Sequence, residues 1–171
     1  MRFCITILVL LISGMATAQE YKVVGWPGKS SVEILDELRI WTASTFNSAK
    51  DVIQLDKEGR FIVKGVDNYS VAGSGLYTLS YTVDFQIKDE KFRYIIKDEF
   101  VSSLAGVLPL DKLKSTVAEN RTAAETMRGA AKKGLLQGTE VMDGAAKRFD
   151  ATLEAIRMSI EALPKLENDN W

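Results

Sequence analysis

From Tyr77 onward the chain alternates. Tyr77, Leu79, Tyr81, Val83, Phe85 and Ile87 fall on one side, and Thr78, Ser80, Thr82, Asp84, Gln86 and Lys88 on the other. A strict period of two is the pattern of a half-buried antiparallel strand. The charged quartet Lys88-Asp89-Glu90-Lys91 turns the chain. Phe92 to Val101 then reads as a partner strand, with Phe92, Tyr94 and Ile96 alternating with Arg93, Ile95 and Lys97. The polar side of this hairpin is left free for water or a partner. Thr78, Ser80, Thr82, Asp84, Arg93 and Lys97 on it form the candidate interaction surface.

The same reading extends both ways. Glu20 to Gly25 predicts a short first strand, ended by Trp26-Pro27-Gly28. Ser30 and Glu33 are spaced as a capping box, and a helix should follow to Phe46 or Asn47. Its face of Ile34, Leu35, Leu38, Trp41, Thr42, Thr45 and Phe46 keeps the helical period, with Ile40 off the stripe. Asp51 to Lys57 and Arg60 to Asp67 predict two more strands across the Glu58-Gly59 turn. Ala72-Gly73-Ser74-Gly75 reads as a flexible loop. Strands joined by short turns favour an antiparallel sheet, and helices on one side of it make a two-layer α+β fold over residues 19–103.

Residues 104–109 read as a linker and 110–164 as a C-terminal helical region, with a polar tail at 165–171. Leu113, Val117, Asn120, Ala124, Met127, Ala131, Leu135, Gly138, Met142, Ala145, Phe149, Leu153, Ile156, Ile160 and Leu163 recur at steps of three and four. Pro164 is the expected stop. A straight helix of this length would be about 80 Å long, more than the sheet domain can cover. The stripe therefore predicts a helical hairpin, with the break near Gly134 to Gly138, or a surface for another chain or a membrane. Glycine weakens a helix by about 1 kcal/mol relative to alanine.

Composition narrows the chemistry. The chain has 171 residues, 46% apolar and 26% charged, enough for a packed core. Arg2, the apolar run Phe3–Ile12 and Ala16-Thr17-Ala18 have the form of a secretory leader, so export with cleavage near Ala18 is expected. The one cysteine, Cys4, lies in that leader, and there is no histidine. Thiol nucleophiles, histidine bases and thiolate or imidazole metal sites are then out of reach of the mature chain. No cofactor is implied. The net charge of −1 argues against nucleic acid, whose affinity comes largely from neutralised phosphates. Asp89-Glu90 and Asp98-Glu99 read as solvated charges, since strand neighbours point to opposite faces.

The stretches KSSVEILDELRIWTASTFNSAKDVIQLDKEGRFIVKGV and YTLSYTVDFQIKDEKFRYIIKDEF, in their strand–helix–four-strand order, resemble an exported bacterial family of unknown function. That family is described as having a TATA-binding-protein-like fold, and the resemblance covers residues 29–100. It implies that fold and a place in the cell envelope, and brings no activity and no site residues. Where related chains often have Asp-Gly at the hairpin, this one has Asp89-Glu90, which disfavours a type I′ turn.

The expected function is non-catalytic binding of a protein or envelope component in the periplasm or outside the cell. Two alternatives compete. One is a structural homo-oligomer built through residues 110–163, with contact to a membrane surface a further use of that helix. The other is a carboxylate-dependent hydrolase of envelope polymers, which requires a cleft with two convergent carboxylates.

Overall fold

The computed structural model describes residues 20–71 and 75–166. The expected leader, residues 72–74 of the predicted loop and residues 167–171 of the expected tail lie outside the described residues.

The elements follow the order β1 (Lys22–Gly25), α1 (Ser31–Thr45), α2 (Ala49–Val52), β2 (Ile53–Lys57), β3 (Arg60–Val71), β4 (Gly75–Lys88), β5 (Lys91–Ser103), β6 (Gly106–Pro109), α3 (Leu110–Thr126) and α4 (Gly129–Leu166). Every strand pairing is antiparallel, in the order β1-β5-β4-β3-β2. The outer edge of β5 carries two short strands: β1 against Lys91–Tyr94 and β6 against Phe100–Ser103. The fold is thus α+β with an antiparallel sheet, as the alternation predicts.

All the helices that pack on the sheet use one face. From α1 come Ile34, Leu35, Leu38 and Trp41, and from the second half of α4 come Phe149, Leu153, Ile156 and Ile160. They meet Phe61, Val63, Leu79, Val83, Phe85, Phe92 and Tyr94. Phe85 is central, with Phe61, Phe92, Tyr94 and Trp41 all within 6.2 Å of its ring. Each such buried side chain contributes about 1.5–3 kcal/mol relative to exposure. Trp41 also donates its indole N–H to Ser159 Oγ at 3.1 Å, tying α1 to α4. Ile40 is exposed.

The capping box forms as predicted. Ser30 Oγ accepts from the Glu33 amide, and the Glu33 carboxylate accepts from the Ser30 amide at 2.9 Å. The charged turn does more than the sequence suggests. Asp89 Oδ1 accepts from the Ser31 amide at 2.7 Å, so the β4–β5 turn also caps α1. Only Glu90 of the turn pair has positive φ, at 63°, which is not a type I′ turn.

Four sequence expectations are corrected. First, Asp51 and Val52 belong to the one-turn α2, and β2 begins only at Ile53. Second, the stretch taken for a linker, 104–109, contains β6, because the edge of β5 beyond β1 is open to pairing. Third, the helical break lies at Met127–Arg128 rather than at Gly134–Gly138. The corner needs a left-handed residue and finds it in Gly129, at φ +65°. Gly134 and Gly138 are exposed and stay helical, so weakened propensity does not choose the break. Fourth, α4 runs through Pro164 to Leu166, since proline this near the end removes only one helical hydrogen bond.

The expected apolar surplus is mostly absorbed. Leu113, Val117 and Ala124 of α3 are buried, as are Ala145, Phe149, Leu153, Ile156, Ile160 and Leu163 of α4. Lys114–Asp150 and Arg121–Asp143 clip the two helices together. One glycine of α4 permits close approach to the sheet: a Cβ on Gly144 would lie 3.3 Å from the Tyr69 hydroxyl. Leu135, Leu136 and Met142 stay half-buried and Met158 is exposed, so a small apolar remainder persists on α4. No helix among the described residues is long and apolar enough to cross a membrane.

The open face of the sheet as candidate functional site

The side chains that alternate away from the helices form an uncovered face, and the strand register lays them out in rows. From β2 to β1 one row reads Lys57, Arg60, Gln86, Arg93, Val23. The next reads Leu55, Ile62, Asp84, Ile95, and the one after it Lys64, Thr82, Lys97. Beyond these come Val66, Ser80, Phe100, Pro109, and then Asn68, Thr78, Ser102, Val107. On the other side, at the hairpin end, Lys88 faces Lys91.

Asp84 is the anchor of this face. It is fully buried although no helix covers it, because Arg60 and Lys97 close over it. Arg60 donates twice, from Nε at 3.1 Å and Nη2 at 2.8 Å, and Lys97 Nζ donates at 2.8 Å. Burial works against the charge on Asp84. The three donors outweigh it and hold the carboxyl below its ordinary pKa. Lys97 is correspondingly raised, chiefly by its hydrogen bond to Asp84.

Beside this knot, Arg93 donates from Nε and Nη2 to Gln86 Oε1 at 3.0 and 2.7 Å. Gln86 in turn donates to the Tyr21 hydroxyl at 3.1 Å. The Arg93 guanidinium lies 4.7 Å from the centroid of the Tyr21 ring, within cation–π range. It is held rigidly by neutral groups, with no carboxylate partner. Val23, Arg60, Gln86, Lys88, Lys91 and Arg93 line a hollow of about 410 Å³ at this end of the face.

All six predicted surface residues share this face, in two groups. Asp84 and Lys97 form the knot, with Arg93 two strands from Arg60. Thr78 and Ser80 lie toward the far end, where Thr78 Oγ1 donates to Asn68 Oδ1 at 2.8 Å. Thr82 joins the groups, between Lys64 and Lys97. Sequence reading missed Tyr21, Lys57, Arg60 and Lys64. The alternation of Arg60, Ile62 and Lys64 with Phe61, Val63 and Gly65 carried that signal.

A β-bulge reshapes the far end. Ser80 pairs with Phe100 but Thr82 with Lys97, so β5 carries one extra residue there, with Asp98 at φ +56°. The slip turns Phe100 to the open face, where it is 41% exposed, and Val101 into the core. It also sends Glu99 toward α4, where burial raises its carboxyl pKa against the pull of Arg157 and Lys114. Glu99 is therefore a half-buried group and not a solvated one.

Most carboxylates at the hollows are tied to partners: Asp67 beside α4 faces Arg148, and Asp143 and Asp150 between α3 and α4 pair with Arg121 and Lys114. Asp84 is sealed. Glu58 and Asp89 line a second shallow hollow by the hairpin turn. Asp89 is held ionised there by its hydrogen bond from the Ser31 amide. Among the described residues no group of three or more carboxylates is placed to hold a metal ion.

Residues 21–99 match the model of a domain of unknown function with a TBP-like fold, DUF4468. The match spans 79 of the 171 residues, most of the sheet and α1, and is a likeness over that part of the chain. A crystal structure of a DUF4468 family protein from Bacteroides ovatus aligns with TM-score 0.51 and 15% identity, over 82% of this chain and 84% of that one. The DUF4468 model stops at 99, so this likeness extends into the C-terminal helices. A crystal structure described as a TBP-like protein from Parabacteroides distasonis aligns with TM-score 0.49 and 9% identity, over 83% and 91% of the two chains. No curated protein matches in sequence. At these identities the likeness concerns the fold.

Proposed function

We propose that this chain is an exported, non-catalytic binding module whose working surface is the bare face of the sheet. The observation that carries this reading is the contrast between the two faces. One is filled by α1 and α4. The other is uncovered, yet carries a fully buried carboxylate clamped by two cations and an arginine braced on a tyrosine ring. Such fixed, oriented side chains suit recognition, because little ordering cost remains at binding. The leader pattern of residues 1–18 supports export.

A photo-crosslinking residue at Thr82, in the full chain expressed in its native cells, tests this. Adducts are expected from Thr82 and not from Lys132 on the hairpin. Adducts from Lys132 alone overturn the reading.

A further inference from the structure

Among the described residues ten cations reach no carboxylate within 4.0 Å: Lys50, Arg128, Lys132, Lys133 and Lys165 lie apart from the open face, and the other five share it. Lys22, Arg39, Lys112, Lys114, Arg121, Lys147, Arg148 and Arg157 each reach a carboxylate within 4.0 Å. On the open face Lys57, Lys64, Lys88, Lys91 and Arg93 do not, and the only carboxylate in its rows, Asp84, is occupied by Arg60 and Lys97. Two pairs of like charge lie directly opposite one another across the strands, Lys88 with Lys91 and Lys57 with Arg60. Like charges so placed disfavour the fold. A local rule broken without a folding return is the mark of a functional surface. At about 4.8 Å between strands and 3.4 Å per residue, this field covers about 14 by 20 Å.

The same face changes character beyond Thr82. Val66, Leu76, Phe100 and Val107 are each at least 41% exposed. The face therefore has a basic half and, side by side with it along the strands, a half where these apolar side chains stand among Asn68, Thr78, Ser80 and Ser102.

We infer that the open face takes an acidic protein segment with a neighbouring apolar stretch, its carboxylates over Lys88, Lys91 and Arg93 and its apolar side chains over Phe100 and Val66. This rests on the open face being the binding surface. Charge complementarity selects an anionic partner. The separate apolar side chains select a polypeptide over a nucleic acid, which has no aliphatic side chains to set against them. An anionic bilayer is matched by apolar anchors ringed with cations, and not by two halves.

The test is selection of a displayed random library of about 12-residue peptides, about 40 Å long when extended, on the full chain. Duplex DNA of random sequence and phosphatidylglycerol vesicles are parallel probes. The expected result is enrichment of peptides rich in Asp and Glu that also carry a Leu, Ile or Phe. Their binding should weaken about tenfold in K88E/K91E and in the milder K88Q/K91Q, and should fall with added salt. These lysines are exposed and unpaired, so neither variant removes a fold contact. Peptides without acidic bias, whose binding is lost in Phe100→Asp, overturn the acidic partner and leave the binding face standing. Peptides unaffected by any of these substitutions overturn both. No enrichment, or binding of DNA or vesicles alone, overturns the acidic partner.

Discussion

Asp84 shows how one residue can serve both the fold and a surface. Its carboxylate has no exposure, so its charge persists only because Arg60 and Lys97 supply three hydrogen bonds. Asp84→Asn keeps the size but removes the charge, leaving two cations without a counter-ion. The expected cost is about 1–3 kcal/mol in urea unfolding at pH 7, the usual range for a hydrogen-bonded buried group. The pH dependence has a definite sign. The folded-state pKa lies below the unfolded value of about 3.9. The contribution of Asp84 is therefore full above pH 4 and is lost as pH falls through its folded-state value. The gap between wild type and Asp84→Asn should close in strong acid. A constant gap from pH 7 to pH 2 would contradict the charged knot. Alternation alone placed Asp84 on the polar face, but its burial was not legible. Its partner Arg60 comes from the neighbouring strand β3, at the far end of the hairpin in sequence, and local pattern says nothing about what lies across a sheet.

At the scale of elements, periodicity was a good guide wherever a strand or helix ran undisturbed. The faces of α1 and β4 and the stripe of α4 lie where their spacing puts them. It failed at irregularities. The bulge in β5 exchanges the faces beyond Ile96, and only the adjacent acids Asp98-Glu99 hinted at it. The corner between α3 and α4 follows from one residue at positive φ, Gly129, which helix propensity could not single out. Gly65 in β3 is a case where structure supplies a missing reason. The ring of Tyr81 on β4 lies over it, and a Cβ there would fall 2.1 Å from the ring. Gly65→Ala must push that buried ring aside. A loss of about 1–3 kcal/mol is expected from such overpacking, read as a lower urea midpoint with unchanged slope. An unchanged midpoint would show that the ring has room to move.

For the whole molecule, the decisive fact is a division of labour between the two sides of one sheet. The C-terminal helices looked, from their length, like a segment in search of a partner. Folded back at Met127–Arg128, they instead cover the sheet and each other, and the crystal structure from Bacteroides ovatus aligns over a similar extent. What remains uncovered is the opposite face, with its unpaired lysines. The hairpin tip also carries unpaired lysines, Lys132 and Lys133, so the two regions compete directly as contact surfaces. Lysine footprinting separates them. The full chain is acetylated at low reagent levels, alone and in an extract of the cells that make it, and modified sites are read by mass spectrometry. Protection of Lys64, Lys88 and Lys91, with Lys132 and Lys133 unchanged, is the predicted result. Protection confined to Lys132 and Lys133, with the sheet lysines still reactive, would contradict it.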